Sequence, residues 1–351
     1  MLAQLNSDSP KRILTIGSAL VDIFIASDQF TISRGDEEVF TTKSSGGKLS
    51  VDSFAIKTGG GGGNTAAGFA TLGFDVGCIA ELGVDELAEV VVSDLHRHGV
   101  KTNYLIQERK EETGGSVLLV TGSGERTALV HRGAAALLDP KDIDEAVIAK
   151  QDWIHLSSVA GRTETIQEIF KLASRHSIPI SWNPGQLELK ELAKTAAEEI
   201  PTADKFHSFV DTYIRNPHPV QILFLNKQEW DSVEVVHEMM KAVVPLIVIT
   251  DSVRGGLLLE RVLESETHQG QSTAFRTVEH TYQAIPVDAV DNTGAGDAFA
   301  VGFVSARLHG QSLQDSLKWA TRNAASVVQK AGAKNGLLGL DEIAKETVPN
   351  S

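Results

Sequence analysis

One cysteine, Cys78, stands in 351 residues, so no intramolecular disulfide framework is possible and a reducing compartment is the natural expectation. Cationic residues are also scarce. Thirty-two Lys and Arg face 46 Asp and Glu, a formal net charge of −14, which excludes the broad basic surface that nucleic acid or an anionic membrane requires. A nucleotide is not excluded, because it needs only a local pocket. No uncharged apolar run approaches the roughly 20 residues of a membrane span, and MLAQLNSDSPKR has no apolar core of signal-peptide length. A soluble, cytoplasmic protein is expected. Several catalytic signatures are missing as well. Reading G-x-G-x-x-G from Gly59, Gly60 or Gly61 puts Asn64, Thr65 or Ala66 where the last glycine belongs. Gly47-Lys48 is followed by Leu49, which rules out a Walker A loop. There is no G-x-S-x-G elbow, and His96 with His98, or His131 with His155, lack metal-ligand spacing.

What is present is ordinary globular composition, 42% hydrophobic and 22% charged, in a length that suits one large α/β domain with an appendage, or two domains. A first strand reads at Arg12 to Ile16. From Phe24 to Lys57 the pattern changes to β-branched and polar residues with turn signals around 34–36 and 45–47, which suggests short antiparallel strands apart from the main sheet. A hairpin at Ser116 to Val130 is a second such excursion, able to pair with the first. From Asp152 onward strands and helices alternate, favouring a parallel sheet covered on both faces. Strands are expected at Trp153–Leu156, Ile178–Trp182, Ile222–Leu225, Leu246–Ile249, Gly256–Glu260, Ala274–Thr277 and Ala284–Val287. Helices are expected at about Asp85–His98, Thr163–His176, Leu187–Ala197, Gln228–Lys241, Asp297–His309 and Ser312–Lys330.

The stretch Asp291-Asn292-Thr293-Gly294-Ala295-Gly296-Asp297-Ala298-Phe299 carries the most chemistry. It reads as a glycine turn entering a helix near Asp297, and bare N–H groups at a helix start, with the dipole behind them, suit an anion. Asp297 is then a carboxylate facing an anion site, or simply a helix cap. Five glycines, Gly59 to Gly63, lead into a small-residue helix beginning with Asn64 and stopping at Gly73, either for close approach of a ligand or for tight packing. Asp22 and Asn183 follow strands, where open α/β sheets bind ligands, although Asp22 taken alone reads better as a solvated loop acid and Asn183 also reads as a turn initiator. Asn226 and Glu229 suit either waters around Mg²⁺ or a capping box. Thr250-Asp251-Ser252-Val253-Arg254-Gly255 links two strands and is otherwise a plain hairpin loop.

Together these residues resemble the PfkB, or ribokinase-like, family of small-molecule kinases. Asp291 to Phe299 with Gly302 is similar to its signature D-[TN]-T-G-A-G-D-x-F-x-x-G, the glycine run through Asn64 and on to Gly83-Val84-Asp85 to its N-terminal signature, and Asn226 to Glu229 to N-x-x-E. The resemblance spans nearly the whole chain. It implies a single doubly wound α/β unit over residues 1–351, with a β-sheet lid inserted at about 24–57 and 112–132. It implies that Asp297 is the catalytic base, kept ionised at neutral pH by the helix dipole, and that Gly294, Ala295 and Gly296 form the anion hole. Asp22, Gly60, Gly61 and Asn64 would meet substrate hydroxyls, with Asn183 nearby. Thr250, Ser252 and Gly255 would lie on the nucleotide loop, although Ser252 stands where the family usually has glycine. Asn226 and Glu229 would hold Mg²⁺ through water for ATP, and Asp291 with Thr293 falls where many members bind a monovalent cation such as K⁺. A ribose- or fructose-type sugar is the first expectation for the acceptor. A nucleoside is the rival, since Trp182-Asn183-Pro184-Gly185-Gln186 resembles a stretch of nucleoside-phosphorylating members and Phe24, Phe40 or Phe54 offers stacking. A catalytically silent sugar-binding regulator is the third reading, and a homodimer through the lid is the expected assembly.

Overall fold

The computed structural model describes residues 10–34, 38–42, 47–199, 219–264 and 275–345, so most of the two turn signals around 34–36 and 45–47 lies outside it. Strand β1 (Arg12–Ile16) enters the core at once. It is followed by β2 (Leu20–Ser27), β3 (Phe30–Arg34), β4 (Glu38–Thr42), β5 (Ser53–Gly59) and β6 (Asp75–Ile79). A short pair, β7 (Glu81–Leu82) and β8 (Ile106–Gln107), precedes β9 (Gly115–Thr121) and β10 (Arg126–His131). The second half supplies β11 (Trp153–Leu156), β12 (Ile180–Trp182), β13 (Val220–Asn226), β14 (Leu246–Thr250), β15 (Gly256–Leu263) and β16 (Phe275–Tyr282).

The main sheet has the order β16-β15-β14-β13-β12-β11-β1-β6, parallel from β6 to β14 and antiparallel at its β15–β16 edge. Its strands are apolar at consecutive positions because both faces are covered. Ile13, Trp153 and Phe224 go to one core with Phe303 and Leu317, while Leu14, Ile154 and Leu225 go to the other with Ile169 and Phe170. The fold class read from the alternating pattern is therefore the one observed: a mostly parallel, doubly covered α/β sheet with a small separate sheet.

That smaller sheet has the order β10-β9-β2-β5 and joins the two β excursions. Its strands are not all antiparallel, as the local pattern suggests. Strands β2 and β9 pair in parallel, Asp22 opposite Ser116. The intervening chain makes the long crossover that parallel pairing needs. The lid also begins earlier than Phe24, at Leu20, which places Asp22 inside a lid strand and not in a loop after β1.

Other boundaries move for packing reasons. The helix expected from Gln228 is broken into Lys227–Ser232, a 3₁₀ turn at Glu234–Val236, and His237–Val243. This tighter path buries both Val233 and Val236. Ala284 to Val287 forms no strand, and Ile285 is exposed. The glycine run is not a loop ahead of a helix. Gly61–Thr71 is one helix capped by Gly60, so Gly61, Gly62 and Gly63 form its first turn despite poor intrinsic propensity. Proximity decides the matter, since a Cβ on Gly62 would lie 2.8 Å from the carbonyl carbon of Gly17. Close packing against Gly17 accounts for glycine at position 62.

The two long helices toward the C-terminus, Ala295–Leu308 and Leu313–Val328, pack face to face at Gly302. A Cβ there would lie 2.8 Å from the carbonyl oxygen of Trp319 and 2.9 Å from Ala320 Cα. Backbone cannot yield as a flexible side chain does. Gly302→Ala is expected to cost about 1–3 kcal/mol by overpacking and to lower Tm by roughly 5 °C, read by thermal unfolding.

Candidate active site

The helix carrying Asp297 begins two residues earlier than its apolar spacing suggests. Gly294 is its N-cap in the left-handed region, φ 78°, and no side chain caps it. Only glycine fits, since a Cβ would lie 2.5 Å from that of Ala333. Ala295 N–H donates to Asn292 O at 3.3 Å, and Ala298 N–H closes the first turn on Gly294 O at 2.8 Å. The N–H groups of Gly296 and Asp297 lie between them and make no backbone bond. Gly296 is exposed, and apart from its chain neighbours and its own helix backbone no heavy atom lies within 4 Å of where its Cβ would be. A bare, positively polarised helix end therefore stands at an exposed position, the kind of place that suits an anion.

Asp297 projects from this first turn beside the start of the glycine helix. Asn64 Nδ2 donates to Asp297 Oδ2 at 2.8 Å across 233 residues of sequence. Asn64 is buried and its Oδ1 has no hydrogen-bond partner, so it holds the carboxylate by one end and presents an unused acceptor at the other. Gly61 keeps the approach clear; a Cβ there would sit 2.7 Å from Ser157 Cβ and 3.7 Å from Asp297 Oδ1. Gly60 has φ 86° and closes on Ser18 O, where a side chain does not fit.

Burial pushes the Asp297 carboxyl up to about 6, against the opposing pull of the Asn64 bond and the Lys334 charge. Desolvation, not the dipole, sets the direction of the shift. The group is still mainly ionised at neutral pH. Asp22 is raised too, again by burial, with the Ser116 hydroxyl bond and Lys334 opposing and Asp291 adding to it. Lys334 carries no motif and escapes sequence reading. Its ammonium is buried in an ion pair with Asp94 at 2.6 Å and also donates to Thr58, on lid strand β5.

The remaining candidates divide. Asn226 and Glu229 form the reciprocal capping box. Glu229 N–H donates to Asn226 Oδ1 and Asn226 N–H to Glu229 Oε2, both at 2.8 Å. Asn183 directly follows β12, its N–H donating to Leu156 O at 2.8 Å. The turn after it is anchored by buried Glu188, which accepts from the N–H groups of Gly185, Val159 and Gly161. Thr250 ends β14, and Ser252 adopts φ 49° with Gly255 at 88°. The serine thus keeps the left-handed backbone that a glycine would take, and the loop is pinned by Asp251 N–H to Gly255 O at 2.7 Å. Phe40 packs on Phe30 with ring centroids 5.3 Å apart, which favours lid packing for that aromatic, whereas Phe54 is 61% exposed.

Asp291 and Thr293 precede the glycine turn. Asp291 is buried and is held ionised. Burial opposes the charge, and bonds from Thr293 and Gly332 together with the Arg126 charge outweigh it. Among the described residues no cluster of three or more His, Cys, Asp or Glu is arranged to hold a metal ion, and no helix is long and apolar enough to cross a membrane.

The pfkB family carbohydrate kinase model matches residues 11–338. The chain is 27% identical over 336 residues to a ribokinase of Bacillus subtilis (strain 168), covering 95% of this chain and 98% of the relative. The structure of Arabidopsis thaliana ribokinase complexed with ribose and ATP shares its fold, with TM-score 0.69 at 19% identity over 95% of this chain and 98% of that one. A nucleoside kinase of Methanocaldococcus jannaschii matches at TM-score 0.69 and 18% identity, with the same coverage of both chains.

A carboxyl whose folded pKa is raised contributes stability that is complete below the ordinary aspartate value and is lost as pH rises through about 6. Asp297→Asn is permanently neutral. It should therefore melt a few degrees above the wild type at pH 8, with the difference shrinking by pH 5 in calorimetric scans. A gap that does not change with pH would remove the buried-carboxylate account.

Proposed function

We propose, from the premise that the chain belongs to the pfkB family of carbohydrate kinases, that it transfers the terminal phosphoryl group of ATP to a hydroxyl of a ribose- or fructose-type sugar. The observation that carries the reading is the Asn64–Asp297 pair set beside the unbonded N–H groups of Gly296 and Asp297. Phosphoryl transfer asks a protein for positioning and charge stabilisation more than for covalent chemistry. Asp297 is the base: it accepts the hydroxyl proton as the new O–P bond forms, and a value of about 6 is well matched to that work near neutral pH. The Gly294-Ala295-Gly296 turn receives the transferring oxygens on the helix N–H groups. Asp22, Gly60, Gly61 and Asn64 hold the sugar, with Asn183 at the neighbouring strand end. The unused Oδ1 of Asn64 is the acceptor for a sugar hydroxyl.

Thr250, Ser252 and Gly255 belong to the nucleotide loop on this reading. Mg²⁺ bound with the donor would neutralise its phosphate charge. Asn226 and Glu229 would hold its waters, and because the capping box uses Oε2 of Glu229, Oε1 is the oxygen available for that role. The lid covers the acceptor and excludes water, which otherwise competes for the phosphoryl group. The whole chain is then one kinase unit in the cytoplasm, of which the lid is a working part. Exposed Phe54, Ile56, Leu129 and Val130 on the lid strands support pairing of two lids in a homodimer. Phe54→Glu should shift the mass measured by light scattering from dimer to monomer.

The decisive test is a panel of sugars and nucleosides scored by ADP release. Turnover confined to adenosine or inosine would replace the sugar reading with the nucleoside one, and tight sugar binding without any transfer would favour a regulator. On the accepted substrate, Asp297→Asn should lose on the order of 10³-fold or more in kcat while retaining binding. Wild-type kcat/KM should fall tenfold per pH unit below about 6, as the base becomes protonated. Near-normal turnover by the variant would overturn the assignment of Asp297.

A further inference from the structure

Arg126 opens lid strand β10, directly after the hairpin turn, and no motif draws attention to it. Its Nη1 lies 3.0 Å from Asp291 Oδ1 and 3.2 Å from Thr293 Oγ1, across 165 and 167 residues of sequence. The same Oδ1 accepts from Thr293 N–H at 3.0 Å and from Thr293 Oγ1 at 2.6 Å, and Oδ2 accepts from Gly332 N–H at 2.8 Å. The charge of the buried carboxylate is thus already matched by a guanidinium, and the threonine hydroxyl is engaged on both sides. A K⁺ ion placed on Asp291 and Thr293 would meet Arg126 at contact distance. These two residues, as arranged, do not fit a monovalent cation.

We propose that Arg126 is a lid-borne positioning residue that takes the place of that cation, so that closing the lid, and not the ionic composition of the medium, sets the turn leading to Gly294. Asp291 and Thr293 lie immediately before the turn, and Gly332 ties Asp291 to the segment that packs against Gly294 through Ala333. A lid that swings away takes its cation with it. The turn is then left with a buried, unneutralised carboxylate, which penalises the open state of an otherwise assembled site. The link is electrostatic and directional, because a guanidinium donates in a fixed plane whereas a free ion does not. The catalytic consequence rests on the kinase reading above; the latch itself does not.

Two measurements keep these apart. Hydrogen exchange of the 115–131 hairpin reads the latch without catalysis, and Arg126→Gln should exchange faster there than wild type while Arg126→Lys is intermediate. Unchanged protection in Arg126→Gln would overturn the latch. In the kinase assay, wild-type turnover in KCl, NaCl and tetramethylammonium chloride at equal ionic strength should agree within about twofold, a difference of under 0.5 kcal/mol. Arg126→Gln should lose about tenfold in kcat with little change in the KM for sugar, the size of one charge-assisted hydrogen bond. KCl, but not the tetramethylammonium salt, should restore part of that loss. Strong activation of the wild type by K⁺, or a variant as active as wild type in every salt, would defeat the proposal. If no acceptor is turned over, the kinase reading fails and the exchange arm still decides the latch.

Discussion

A single hydrogen bond, Asn64 Nδ2 to Asp297 Oδ2, joins the starts of two helices that lie at opposite ends of the chain. Much of the site's architecture follows from making that contact possible. The glycine helix must approach Gly17, just after β1, and Ser157 closely enough for Asn64 to reach, and Gly61 and Gly62 leave room for that approach. The second helix must begin with a left-handed residue against Ala333, which is why Gly294 is glycine. The two helix starts meet beside one carboxylate; the first turn of the glycine helix is tied to Ser18 by the Gly61 and Gly63 N–H groups, while the Gly296 and Asp297 N–H groups of the other are left bare. Burial raises the pKa of that carboxylate while the amide and the Lys334 ammonium restrain the rise. The outcome is an acid poised near neutrality.

Fixed cations form a second organising feature. The chain as a whole is strongly acidic, yet Asp94 and Asp291 are each answered by a cation brought from elsewhere in the sequence: Lys334 for Asp94, and Arg126 for Asp291. Lys334 contacts Thr58 on the lid edge β5, and Arg126 stands on the opposite edge, β10. One edge of the lid is thus held by the Lys334 bond to the Thr58 hydroxyl and the other by the Arg126–Asp291 ion pair. Exposed pairs contribute little to stability, but a guanidinium on a buried carboxylate is a different case, since removing it leaves the negative charge with only the neutral donors of Thr293 and Gly332.

Local pattern was a good guide wherever burial alone dictated it. The alternation from Trp153 onward locates all of β11 to β14, with β12 beginning later and β13 earlier than expected, because strands covered on both faces have little freedom in composition. It was a poor guide where a neighbour overrode propensity. Glycines at 61–63 argue against helix in isolation, yet contact with Gly17 and Ser18 makes them a helical turn. The stretch from Gln228 looks like one helix until two valines both need the core. Ser252 occupies a backbone region meant for glycine, held there by the Asp251–Gly255 bond, and no scan of residue types would place it in that conformation.

Family membership, the doubly covered sheet and the candidates Asp297, Gly294 and Asn64 are all legible in the order of residues, because each depends on what a short stretch of backbone can do: start a helix without a cap, or pass close to another chain segment. The roles of Lys334, Arg126, Ser116 and Glu188 are not. They arise from side chains meeting across tens to hundreds of residues, at distances set by how the lid folds over the sheet. The raised pKa of Asp297 belongs to the same class, since desolvation is a property of the assembled surroundings. Composition and local spacing can nominate a carboxylate; only the packed structure decides how strongly it holds its proton and which cation stands beside its neighbours.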